Sequence, residues 1–122
     1  MCIAVCPNNA ISIPWGFSPK KLQHKIADYA LGVNKMVNGN VMYINVLENI
    51  TSDCDCDGKA QKKEMEDIGI LSGNDIVAID QASLDLANKH GFQKVHRLIN
   101  KNNQIDYAVR IGLGKKEYRL KE

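Results

Sequence analysis

The sequence lacks several features that would place it in a specialised class of protein. No apolar run approaches the ~20 residues that a membrane-spanning helix needs, and the N-terminus has neither the basic start nor the long apolar core of a secretory signal. The formal net charge of the 122 residues is only +2, so the charge balance does not predict nucleic-acid binding. No internal repeat is present. We therefore expect a cytoplasmic protein that binds neither a membrane nor nucleic acid.

A hydrophobic content of 44% in a chain of this length predicts one domain with a buried core. Ser18-Pro19 has the residues of a helix start, and Asn38-Gly39 has those of a left-handed helix end just after Val37. Between them, apolar side chains recur at helical spacing and predict the face that packs on the core: Leu22, Ile26, Tyr29, Val33 and Met36.

Two short strands and two further helices are predicted after this first helix. VMYINVL (41–47) is rich in β-branched and aromatic residues, and DIGIL (67–71) predicts a second strand. A turn at 72–75 can cap a helix that ends near His90-Gly91, a third helix is expected near 104–111, and KEYRL (116–120) alternates like an edge strand. Interleaved helices and strands predict an α/β layered domain with short strands and three helices.

Four cysteines in a cytoplasmic chain are better explained as thiols or metal ligands than as disulfides. Cys2, Cys6 and Pro7 match the last two cysteines and the proline of the C-x2-C-x2-C-x3-C-P run that holds iron-sulfur clusters in bacterial-type ferredoxins. The first two cysteines of that run have no counterpart. On spacing alone, the alternative interpretation is two small buried residues before a proline.

The segment NITSDCDCDG (49–58) alternates aspartate with the other two cysteines. In an extended chain the thiols of Cys54 and Cys56 lie on one side, and the carboxylates of Asp53 and Asp55 lie on the other. This arrangement suits a bound zinc ion or another divalent metal, with sulfur or oxygen ligands according to the ion. The alternative is a solvated acidic loop with two incidental thiols, because C-x-C lacks the second ligand pair of a convincing zinc site.

Five segments, taken together, resemble the C-terminal part of the domain of unknown function 362 (DUF362) family: AVCPNNAI, HKIADYALGVNK, VMYINVLENITSDCDCDG, DIGILSGNDIVAIDQASLDL and YAVRIGLGKKEYRL. NITSDCDCDG, and DIGIL followed by VAIDQAS, are the most specific of them. Two departures are the absence of a proline-containing stretch before DIGIL and Ile76 in place of the proline of the family's DPVAID segment.

Members of that family typically carry a ferredoxin-type 4Fe-4S segment within a larger chain, and the family has no established reaction. The resemblance implies that Cys2 and Cys6 are cluster ligands and that the family's N-terminal portion is missing. Residues 1–14 would be the remnant of the ferredoxin-like segment, and residues 15–122 would be the C-terminal α/β domain.

Two functions are therefore expected as alternatives. The first is the C-terminal part of a 4Fe-4S protein, related to redox chemistry or electron transfer and served by a redox partner protein. The second is a metal-binding or interaction domain that uses the Asp-Cys-Asp-Cys loop without a cluster. Asp80, inside the apolar VAID segment, is expected either to face that loop or to bond backbone amides. No catalytic triad is predicted, because the three histidines lie on separate elements.

Overall fold

The computed structural model describes residues 7–8, 10, 18–52, 60–95 and 102–121. Within these ranges the chain forms three longer helices, one short helix and a two-stranded antiparallel sheet, which confirms the α/β class. In chain order the elements are α1 (Pro19–Met36), β1 (Tyr43–Leu47), β2 (Gly69–Gly73), α2 (Ile76–Lys89), α3 (Phe92–Val95) and α4 (Asn102–Arg110). The cysteine sites and the two proposed boundaries at residues 14 and 15 lie outside the described residues.

The ends of α1 follow the expected chemistry at one terminus and depart from it at the other. Pro19 occupies the first turn, but the Ser18 side chain makes no capping hydrogen bond to the described residues. At the C-terminal end Asn38 has φ +53°, and the N–H of Gly39 donates to the carbonyl of Asn34 at 3.1 Å. This bond satisfies a carbonyl that the helix leaves unpaired, so the predicted left-handed end is confirmed.

The start of α2 and the end of α4 also carry the hydrogen bonds that helix termini need. Asp75 caps α2 through Oδ1, which accepts from the N–H groups of Val77 and Ala78 at 2.9 and 3.1 Å. At the end of α4, Gly112 has φ +77° and the N–H of Leu113 donates to the carbonyl of Ala108 at 3.0 Å. This is the Schellman arrangement, in which glycine tolerates a left-handed backbone that other residues adopt only with strain.

The sheet has one face on α2 and one face exposed. β1 and β2 pair with Tyr43 opposite Gly73 and Leu47 opposite Gly69, so the second strand begins and ends two residues later than DIGIL. Alternate residues of β1 point inward, among them Asn45. The outward positions carry large apolar side chains: Ile44, Val46 and Ile70.

The core lies where α1, α2 and α4 meet. Its buried members are Ala27, Val77, Ile105 and Ala108. The apolar stripe of α1 does not belong to it: Leu22, Ile26, Tyr29, Val33 and Met36 are 47–83% exposed. That part of the prediction is wrong, because α1 approaches α4 through the small side chain of Ala27 and the polar residues beside it.

Those neighbours of Ala27 make specific contacts across the α1–α4 boundary. The rings of His24 and Tyr107 stack at a centroid distance of 3.9 Å, and the Tyr107 hydroxyl donates to Asp28 at 2.8 Å. The guanidinium carbon of Arg110 lies 4.9 Å from the centroid of the Tyr107 ring. His24 therefore has a packing role.

Three smaller predictions are wrong. KEYRL pairs with no other described strand, and the Tyr118 hydroxyl instead donates to Asp85 at 2.9 Å. The spacing of Ile105, Ala108 and Val109 predicts one shared helix face, but Val109 is 38% exposed whereas the other two are buried. Met36, Met42 and Met65 are expected from the sequence to fill the core, but Met36 and Met42 are largely exposed and Met65 alone of these three is buried.

Candidate functional site

A polar cluster joins the sheet to α2 on the inner side of the molecule. The side-chain amide of Asn45 donates through Nδ2 to Oδ1 of Asp80 and to Oγ of Ser83, each at 2.9 Å. The Ser83 hydroxyl in turn donates to the carbonyl of Ile79 at 2.7 Å. Each contact has the length of a well-formed hydrogen bond, so the three side chains hold one another in a defined arrangement.

Local structure explains why these residues meet. Asn45 occupies an inward position of β1, and Asp80 and Ser83 lie three residues apart on one face of α2. A serine hydroxyl in a helix readily bonds the carbonyl four residues earlier, which leaves its oxygen lone pairs turned toward Asn45.

Asp80 is partly withdrawn from solvent and borders open space. Burial raises the pKa of its carboxyl above the ordinary value, and the hydrogen bond from Asn45 opposes that shift. Its carboxyl lines a cavity of about 420 Å³, which we call the Asp80 cavity, and also a second cavity of about 160 Å³ beside Ala27 and Ile105. The larger volume lies within the ~300–1,000 Å³ range of small-molecule sites.

The Asp80 cavity is mostly apolar with a few polar groups at its wall. Leu47, Leu84 and Phe92 supply much of the apolar lining, whereas Gln23 and Gln104 add side-chain amides. A carboxylate and two amides in an otherwise apolar wall can orient a bound molecule that offers hydrogen-bond donors.

The base of the Asp-Cys-Asp-Cys segment lies at this same cavity. Thr51 and Lys63 form an antiparallel bridge, and the N–H of Glu64 donates to the carbonyl of Ile50 at 2.9 Å. Ile50 also lines the Asp80 cavity. We call this bridged pair of chain segments, 49–51 and 63–67, the loop stem. Ile50 therefore places the first segment of the loop stem at the cavity wall.

A hydrogen bond and an ion pair of Asp67 also stabilise the loop stem. Asp67 accepts from the N–H of Asn49 at 2.7 Å and pairs with the ammonium of Lys63 at 2.8 Å. The hydrogen bond from Lys63 first, and that from Asn49 second, lower the pKa of Asp67 below its ordinary value. The same contact raises the pKa of Lys63. Both groups therefore remain charged across the neutral range.

Asp80 was singled out in the sequence, and among the described residues its hydrogen-bond partner is the Asn45 side chain and not a backbone amide. The loop that Asp80 was expected to face as the alternative lies outside the described residues. Cys2, Cys6, Asp53, Cys54, Asp55 and Cys56 lie outside the described residues. Within the described ranges no group of three or more His, Cys, Asp or Glu side chains could hold a metal ion.

Asn45 and Ser83 were missed by the sequence interpretation. One signal was present: an amide stands at an inward position of VMYINVL, where the other inward residues are apolar or aromatic. A polar side chain at such a position needs a hydrogen-bond partner, because leaving it unpaired costs free energy.

The family model described as "Domain of unknown function (DUF362)" matches residues 7–85, which is more than half of the chain. The chain belongs to the DUF362 family. The matched range contains Asn45, the cysteine segment, Asp80 and Ser83, whereas Cys2 and Cys6 precede it and α4 follows it. No curated protein and no solved structure matches the chain. Among the described residues, no helix is long and apolar enough to cross a membrane.

Proposed function

We propose that this DUF362 chain serves a redox or electron-transfer protein in which Cys2 and Cys6 contribute ligands to a 4Fe-4S cluster. The support is chemical: two thiolates followed by a proline at ferredoxin spacing are soft donors of the kind that cluster iron requires. Two thiolates supply half of a four-cysteine ligand set, so further thiolates have to complete it. A cytoplasmic location and a redox partner protein belong to the same proposal.

One observation favours a second candidate, a mononuclear metal site at the cysteine segment. The loop stem bridges Thr51 to Lys63 and so brings the two ends of that segment together. Because the ends of the loop are already held together, metal binding costs less conformational entropy. Cys54 and Cys56 offer sulfur, and Asp53 and Asp55 offer oxygen, a set that suits zinc or another divalent ion.

The contact of the loop stem with the Asp80 cavity supports the second candidate, because Ile50 belongs to both. The cavity has a carboxylate and amides in its wall, and such groups can orient a small molecule. This supports a metal-binding role over a purely structural one.

Metal loading of the purified chain tests both candidates. The chain would be treated anaerobically with iron and sulfide, and separately with zinc, and then analysed for bound metal, sulfide and visible absorbance. Loss of bound iron and sulfide in Cys2→Ser and Cys6→Ser supports the cluster. Loss of one zinc in Cys54→Ser and Cys56→Ser, with Cys2→Ser unchanged, supports the mononuclear site. Metal that binds equally to wild type and to all four serine variants is not held by these thiolates, and that result overturns both.

A further inference from the structure

A further recess of about 690 Å³ lies beside β2. It is lined by residues 68–72, by residues 119–121, and by Leu86 and His90 at the C-terminal end of α2. We call it the β2 cleft. Among the described strands β2 pairs with β1 alone, which leaves its other edge without a neighbouring strand, and consecutive residues of β2 line the cleft.

KEYRL (116–120) has a strand-like sequence but is not paired in a sheet within the described part of the chain. KEYRL alternates as an edge strand does, yet it pairs with no described strand, and its last two residues line the cleft. A two-stranded sheet is marginal by itself, and a third strand adds both hydrogen bonds and a covered face. The cleft therefore lies where an additional strand would fit.

The charged residues that line the cleft are basic. Arg119 and Lys121 line it, and none of its lining residues is acidic. Lys116, earlier in the same segment, pairs with Asp106, whereas neither Arg119 nor Lys121 has a carboxylate within ion-pair distance in the described part of the chain. Two cations beside an unpaired strand edge favour a partner that carries negative side chains.

Apolar surface accompanies the charge. Ile70 on β2 is 65% exposed and Leu120 is 50% exposed, and both line the cleft. An extended peptide places alternate side chains on opposite faces of a sheet, so one set can cover Ile70 while the other reaches the basic groups.

We propose that the β2 cleft binds an acidic extended peptide, which pairs with the free edge of β2 and places its carboxylates at Arg119 and Lys121. A free inorganic anion would satisfy the two cations but not the carbonyl groups of the strand edge. A peptide satisfies both, because its backbone carries donors and acceptors in alternation.

Binding of designed peptides tests the proposal. The probe is an end-blocked hexapeptide of alternating valine and glutamate, and the comparison is the matching valine and lysine peptide. Titration followed by NMR is expected to shift the backbone amides of Gly69–Gly73, with affinity for the glutamate peptide at least ~tenfold higher. Equal affinity for the two peptides, or shifts confined to other elements, overturns the proposal.

Charge-reversal variants and phosphate separate a strand site from a simple anion site. The double variant Arg119→Glu/Lys121→Glu is expected to weaken the glutamate peptide by at least ~tenfold. The matched control Lys20→Glu/Lys21→Glu changes the net charge equally on exposed positions of α1 and should leave affinity within about twofold. Circular dichroism verifies that both fold. If inorganic phosphate at equal concentration displaces the peptide, the site is an anion site and the strand proposal is wrong.

Discussion

Asp75 and Gly114 lie so close together that a Cβ atom on residue 114 would overlap the Asp75 carboxylate. That carboxylate has two tasks. Its Oδ1 caps α2, and its Oδ2 accepts from the backbone N–H of Lys115 at 2.9 Å. The start of α2 and the chain that follows α4 are therefore joined through one side chain, and the joint requires glycine at position 114.

Gly114→Ala is expected to destabilise the fold by about 1–2 kcal/mol, because the added methyl group displaces Asp75 from its capping position. Urea unfolding measures the change. Gly32→Ala is the matched control. No described atom lies within 4 Å of a Cβ there, and replacing a helical glycine should add about 0.5–1 kcal/mol of stability. Equal stability of Gly114→Ala and wild type would contradict the capping argument.

Asp80→Asn is expected to increase stability at pH 7. Burial raises the folded-state pKa of Asp80 above 3.8, so the native state binds more protons than the unfolded chain as the pH rises from 3.8 toward that raised value. Ionisation of Asp80 therefore lowers the free energy of unfolding progressively over this pH range, and the full reduction persists at higher pH. Asparagine removes the charge and can still accept from Asn45. The gain should vanish below pH 3.8 in a pH series of urea midpoints.

Asp67→Asn is the control with the opposite sign. Lys63 and the Asn49 N–H lower the folded-state pKa of Asp67, so its contribution to stability is present above pH 3.8 and is lost as the pH falls through the lowered value. This variant should be less stable than wild type at pH 7 and equal to it at low pH. If both variants show the same sign, the assigned environments of the two carboxyl groups are wrong.

Helix termini were the part of the fold that sequence predicted best, and the reason is local. A left-handed residue such as Asn38 or Gly112 ends a helix through bonds within five residues, so the determining chemistry is contiguous in the chain. Asp75 as a cap is equally local.

The candidate site was harder to predict because its bonds span the chain. Asp80 was recognised as unusual, but its partner Asn45 lies 35 residues earlier, on another element. Spacing alone cannot pair a strand residue with a helix residue. KEYRL shows the same difficulty: alternation describes a segment able to form a strand, while a strand also needs a neighbour.

Asn45→Ala is expected to destabilise the protein by about 1–3 kcal/mol at pH 7, because the Asp80 carboxylate loses its hydrogen-bond donor in a partly buried site. The loss should be smaller below pH 3.8, where a protonated Asp80 tolerates burial better. Ile44→Thr is the adjacent control: its side chain faces outward and threonine keeps a β-branched residue in the strand. Equal unfolding midpoints for the two variants would show that the hydrogen bonds of Asn45 do not stabilise the fold.

The last prediction concerns which face of α1 is packed. Ala27 is 2% exposed at the contact with α4, so Ala27→Asp buries a carboxylate among apolar side chains and should cost at least about 2 kcal/mol. Tyr29, in the apolar stripe, is 79% exposed, and Tyr29→Ser should change stability by no more than about 0.5 kcal/mol. Thermal unfolding compares the two. A larger loss for Tyr29→Ser than for Ala27→Asp would show that the stripe is the packed face, as the helical pattern alone predicts.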